Sequence, residues 1–453
     1  MSRVREWLGA HRQQAIDLLS VLCRQPSIST TGEGIAEMGP LVVRTFQSLG
    51  LESHLVPTGG SPMVFARDPR SSGSKTLLFY NHYDVQPVGD PDEWRTPPFE
   101  PTLIGDRLYA RGATDNKGNI VSRLMAMLAL HALGAQIPIN VTFMVDGEEE
   151  SGSPHLVEAM RANRDLLRCD WCIWEDTFRE DPEALVVSLG SKAMFFMQLE
   201  CELGPVDIHS AFAPAFENAA WRLVHALASL KDSQGRVRIP GFYDRVVPLT
   251  EIERALLNKL PPMPADQVKA HALVYARSPE EARRALITEP TCNIQGIQAG
   301  YTGKGHKNAL LARAVARVDM RLVPDQDPAA IAQQTREWLD ANAFRDVKIV
   351  DTGIDGRPSR YRVGDLVSAV TRSARDLYAR GVVIEPGGAG CTPIWMVGAA
   401  LGCQETANLG VGVLGSNTHA PNENVSIPEI LRFAEVMARA ILSLGGTDPT
   451  PLD

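Results

Sequence analysis

Short, largely apolar runs separated by long amphipathic stretches set the pattern of the first 190 residues, and the pattern returns near the end of the chain. Residues 76–80, 140–145, 170–174 and 410–414 are each too short for a helix and are bounded by polar or turn-forming residues. That is the signature of strands covered on both faces. Between several of them lie helical patterns, such as Leu124, Met127, Leu128 and Leu130. The alternation predicts an α/β fold whose main domain has a mostly parallel central sheet flanked by helices. Between residues 190 and 360 the pattern changes to strands at 194–199 and 315–322 with helices at 217–230 and 329–342, an α+β insertion. A chain of 453 residues also exceeds what one core usually holds. The expected division is therefore a discontinuous domain, 1–189 and 361–453, interrupted by an inserted domain, 190–360.

Most of the chemistry-bearing residues follow these runs closely. They are His82 in NHYD, Asp115 in ATDNKG, Glu150 in DGEEESGS, Asp176 in IWED and His419 in SNTHAPNE. Open α/β sheets bind ligands at the carboxyl ends of their strands, which is where most of these residues fall. In an extended chain His82 and Asp84 point to one face, so Asp84 can fix the tautomer of a ligating His82. Asp115 stands before a helical pattern and reads either as an N-cap or as a ligand. Glu148, Glu149 and Glu150 repel one another unless cations compensate them. Two imidazoles and three carboxylates suffice for two divalent ions with one carboxylate shared. The acidic run leaves a spare carboxylate, which suits metal-assisted hydrolysis.

In combination, the segments NHYDVQP, RLYARGATDNKG, DGEEESGS and SNTHAPNE resemble the M20 family of metallopeptidases, the dizinc amidases that include carnosinase-like dipeptidases and glutamate carboxypeptidase. The resemblance runs from residue 25 to the C-terminal helix. It implies one metal held by His82, Asp115 and Asp176, and a second held by Asp115, Glu150 and His419. It implies Glu149 as general base and Asp84 as the carboxylate behind His82. The two ions would be zinc, with manganese or cobalt as alternatives. Asp207-Ile208-His209-Ser210 resembles a family segment whose histidine polarises the scissile carbonyl in the neighbouring subunit's site, although Ala211 replaces the family glycine. Arg321, in an R-L-V-P segment, matches an arginine that pairs with the substrate carboxylate, and its planar fork suits that task. Asn308 matches a substrate-touching turn residue. Gly388 lies in a glycine-rich loop that resembles one supplying backbone N–H groups to the carboxylate, but the family's serine is missing there. The inserted domain is implied to be a lid that also forms a homodimer.

The activity implied is metal-dependent hydrolysis of dipeptides or small peptides. N-acyl-amino-acid deacylation and aminohydrolysis of an aromatic amine are the alternatives. Hydrophobic residues at 44% and charged ones at 22% are ordinary globular values. A net charge of −9 without any Lys/Arg-rich run argues against nucleic acid as a partner. The uncharged stretch 386–404 is broken by glycines and Pro393, so no membrane span is expected. The N-terminal segment reads as an amphipathic helix rather than a secretory signal. Seven cysteines, an odd number, do not form a disulfide framework, and the lone Cys169-x-x-Cys172 reads as buried strand cysteine. A cytoplasmic protein is expected.

Overall fold

A computed structural model of the chain describes residues 3–177, 179–265, 269 and 277–446. Two compact units result. The first comprises Met1–Gly190, Tyr361–Pro386 and Pro393–Asp453, and the second Ser191–Arg360 with Gly387–Thr392. The loop containing Gly388 thus belongs to the second unit.

The first unit is built on an eight-stranded sheet. Its strands run, edge to edge, Glu52–Val56, Met63–Arg67, Asn140–Asp146, Thr76–His82, Trp171–Trp174, Glu405–Asn408, Leu185–Ser188 and Val382–Glu385. The central pairs are parallel, Thr76–His82 lying between Asn140–Asp146 and Trp171–Trp174, with Glu405–Asn408 beyond. Side chains alternate between faces along each strand. Leu77, Phe79, Val141, Phe143, Trp171 and Ile173 join a core with helices Asn119–Ala132 and Ile427–Leu444. Leu78, Tyr80, Met144, Cys172 and Trp174 join a second core with helices Leu156–Ala162 and Trp395–Leu401. Both faces are covered, which is why these runs lack polar alternation.

One expected strand is displaced. The strand is Glu405–Asn408, and residues 410–412 form a loop. Glycine weakens a strand, and here it permits close approach. A Cβ on Gly410 would stand 2.4 Å from both Asn119 Oδ1 and Asp176 Oδ1.

In the second unit an antiparallel sheet has the order Asn293–Ala299, Arg313–Leu322, Ala193–Glu202, Val347–Asp355. Phe195, Met197, Leu199 and Cys201 alternate inward onto a core completed by helices Ala219–Ser229 and Pro328–Ala341.

Candidate metal centre

His82 is the last residue of its strand, and its ring is fully buried. Its Nδ1 lies 3.0 Å from the Asp84 main-chain oxygen and 3.4 Å from Asp84 Oδ1. The carboxylate of Asp84 also accepts the main-chain N–H groups of Glu149 (3.1 Å) and Glu150 (3.0 Å). One buried carboxylate therefore orients the imidazole and holds the acidic turn Glu149–Ser151 beside it. Gln86 Nε2 donates to Glu150 Oε2 at 2.8 Å, which fixes that side chain as well.

Asp115 does not cap the helix Asn119–Ala132, whose first turn starts after Gly118. It lies instead in the preceding turn, Ala113–Gly118, with a non-helical backbone. This turn is held by Glu423. One carboxylate oxygen accepts from Thr114 N (2.9 Å) and Asp115 N (3.0 Å), the other from Gly112 N (2.8 Å) and Arg111 Nη1 (2.8 Å). So anchored, Asp115 presents Oδ1 to His82 Nε2 at 2.9 Å and Oδ2 to His419 Nε2 at 3.0 Å. His419 Nε2 also lies 3.2 Å from Glu150 Oε2. Ligand atoms of His82, Glu149 and Glu150 fall within 4.8 Å of one another, as do those of Asp115, Glu150 and His419.

Asp176 is held by main-chain groups, and its Oδ2 is buried without a hydrogen-bond partner. Its Oδ1 accepts from Thr177 N at 2.6 Å and Gly412 N at 3.1 Å. The carboxylate that approaches the imidazoles is that of Glu175, whose Oε2 is 3.8 Å from His82 Nε2. The two acids are adjacent at a strand end, so they point to opposite sides.

Arg123 is fully buried below this cluster. Its guanidinium donates to Asn81 Oδ1 (2.6 Å), to Trp174 O (3.2 Å) and Glu175 O (2.8 Å), and to Tyr80 O. It gathers the carboxyl ends of two adjacent strands under His82 and Glu175. Burial lowers its pKa to about 10, so it remains charged at neutral pH. Arg123, the one Arg, Lys, Asp or Glu in Asn119–Ala132, was the sequence signal for this role.

The donor set suits divalent metals. Zinc ligands at about 2.0–2.1 Å in tetrahedral geometry lie about 3.3 Å apart, close to the separations seen here. Glu175 Oε2 is buried with no hydrogen-bond partner. Burial pushes Glu175 up to about 8, and burial with the neighbouring acids raises Glu149 and Glu150. Asp115 is buried too, yet the imidazoles of His419 and His82 outweigh this and hold its carboxyl below the usual range. Crowded carboxylates of this kind call for cations.

The profile of peptidase family M20/M25/M40 matches residues 78–443. The chain belongs to that family. It is 27% identical over 415 residues to the Beta-Ala-His dipeptidase of Mus musculus, covering 88% of this chain and 84% of that one. It is 26% identical over 359 residues to the Cys-Gly metallodipeptidase of Schizosaccharomyces pombe, covering 75% of each. The crystal structure of an M20 family metallo-carboxypeptidase from Sulfolobus solfataricus superposes with a TM-score of 0.82 at 35% identity, covering 95% of this chain and 99% of that one. As an M20 member the chain is a metal-dependent peptide hydrolase, and its mixed sheet with a separate α+β unit matches the family's architecture. No helix among the described residues is long and apolar enough to cross a membrane.

The remaining expected site residues lie in the second unit. His209 pairs with Ala309 in a short ladder, and Ser210 N donates to Asn308 O at 3.2 Å, so His209 and Asn308 are neighbours. Nδ1 of the exposed His209 accepts from Ala211 N at 3.1 Å. Arg321 is half-buried on the strand Arg313–Leu322, its main chain tied to Thr291. Gly388 is half-buried in its loop.

Proposed function

We propose that the protein hydrolyses dipeptides or short peptides bearing a free C-terminal carboxylate, using two divalent ions, zinc first among them. His82, Asp115 and Glu175 would hold one ion, and Asp115, Glu150 and His419 the other. The observation that carries this reading is the geometry of Asp115, each of whose oxygens faces a different imidazole. When bound, the ions supply Lewis acidity, acidifying water and polarising the scissile carbonyl. Glu149, next to His82 and outside the ligand set, takes the water proton and returns it to the leaving amine. His209 donates to the developing oxyanion. Arg321 and the main chain at Gly388 hold the substrate carboxylate, and Asn308 touches the substrate, so the amide is aligned.

We further read the protein as a cytoplasmic homodimer. Among the described residues no cysteine is in a disulfide, in keeping with a reducing compartment. The strand Asn293–Ala299 is an exposed sheet edge carrying Ile294 and Ile297, and Trp221 stands exposed on the helix Ala219–Ser229. Edges of this kind are commonly covered by a second copy.

The test is a screen of dipeptides, N-acyl amino acids and aryl amines before and after chelation. Dipeptides should be cleaved fastest, chelation should abolish the activity, and added zinc, manganese or cobalt should restore it. Faster turnover of N-acyl amino acids or aryl amines would replace this reading.

A further inference from the structure

The C-x-x-C segment plays no part in the reading above, and the fold gives Cys169 a different neighbour from the one its spacing suggests. The strands Trp171–Trp174 and Glu405–Asn408 run parallel, with Glu405 opposite Trp171. Two residues before each of these stand Cys403 and Cys169, side by side where the strands enter the sheet. Cys403 Sγ reaches across to Asp170 O at 3.6 Å and lies 3.5 Å from Glu405 O. The two thiols are close enough to shift one another's ionisation, that of Cys169 upward and that of Cys403 downward. Adjacent strands are about 4.8 Å apart, inside the Cα range of about 4.4–6.8 Å that a disulfide needs. Cys172 lies three residues further along, inside the strand, and is fully buried, whereas Cys169 is only half-buried.

We infer that Cys169 and Cys403 form a thiol pair that closes to a disulfide on reaction with a low-molecular-weight disulfide. Cys169 is the entry point, because it is half-buried whereas Cys403 is buried. It attacks one sulfur of the small disulfide, breaks that S–S bond and expels one thiolate. Cys403 then attacks the Cys169 sulfur and expels the second thiolate. The two protein thiols are oxidised to one disulfide, and the small disulfide is reduced to two thiols, which take up the two protons. The second step needs no rearrangement of the strands, since Cys403 already reaches across to the residue next to Cys169.

The new bond would close a loop from residue 169 to residue 403 and staple two central strands together. A loop of that length restricts the unfolded chain strongly, so the expected consequence is resistance to unfolding. Both strands lead to the candidate centre at their far ends, through Glu175 and through Gly412 against Asp176. The staple lies at their near ends and should leave catalysis unchanged.

The experiment treats the metal-loaded protein with glutathione disulfide and follows free thiols, intact mass and the thermal midpoint. The pair predicts loss of two thiols, a mass lower by two hydrogens, one peptide crosslinked through Cys169 and Cys403, and a thermal midpoint raised by several degrees. Dithiothreitol should reverse all four. Cys403→Ala should stop at a glutathione adduct on Cys169, and Cys169→Ser should not react at this site. A Cys169–Cys172 crosslink, a stable adduct on the unmutated protein, or no loss of thiols would each overturn the inference.

Discussion

The carboxylate of Glu423 accepts the main-chain N–H of Asp115 at 3.0 Å across 308 residues of sequence. Glu423 follows His419 by four positions, so this contact aligns the turn carrying one candidate ligand with the loop carrying another. The loop needs such a hold, since Asn417, His419 and Asn422 all have positive φ. Replacing Glu423 with Gln puts an amide N–H against main-chain N–H donors. It should destabilise the fold by about 3 kcal/mol, as breaking a buried charged pair does. Metal affinity should fall by about ten- to a hundredfold, as for other groups that orient ligands. Denaturant titration and metal titration of the apo protein measure the two effects.

Glu149→Gln removes the proposed base and keeps its size. Turnover should drop by about a hundredfold or more, while metal content stays at the unmutated level. If Glu150→Gln instead gave that pattern, the two roles would be exchanged.

Glu175→Gln and Asp176→Asn separate the two adjacent acids. Only Glu175 Oε2 faces His82, whereas Asp176 is bonded to Gly412 N and Thr177 N. Elemental analysis should find close to half the metal lost in Glu175→Gln. The Asp176→Asn protein should keep both ions, with a loss of stability only.

Metal loading should release protons. The carboxylates of Asp115 and Glu150 push His419 up to about 10 in the metal-free chain. This folded value lies above the ordinary one of about 6.5, so the contact stabilises the metal-free fold fully below that pH. The contribution fades as pH rises toward about 10. A metal ligand must be deprotonated, so zinc binding between about pH 7 and 9 should release at least one proton, that of His419, with more from the other raised ligands. Apparent affinity should rise with pH. Calorimetry in two buffers of different ionisation enthalpy reads the proton count.

A subunit lacking Glu149 mixed with one lacking His209 tests whether His209 serves the neighbouring site. Action across the dimer predicts recovery of activity, because each mixed dimer then has one site with both lesions and one intact. Proven subunit exchange with no recovery would assign His209 to its own subunit or to no catalytic role.

Much of the fold was legible because its causes are local. A strand covered on both faces must be apolar along its length, so residues 76–80 and 140–145 announced Thr76–His82 and Asn140–Asp146. The run 410–414 misled for the same reason. Its apolar, glycine-rich composition resembles a strand, but those glycines serve to pack the loop against Asp176 and Asn119.

His82, Asp115, Glu150 and His419 stood out in the sequence because motif and strand-end position coincide, and the structure brings these side chains together. The choice between Glu175 and Asp176 was not legible, because adjacent residues at a strand end face opposite ways and only the finished sheet decides which way is inward. Nor could the sequence alone pair Glu423 with Asp115, Arg123 with the ends of two strands, or Cys169 with Cys403 instead of Cys172. Those partnerships depend on strand order and register. Periodicity and spacing carry the local preferences of a segment, and only the packed chain decides which distant segments become neighbours.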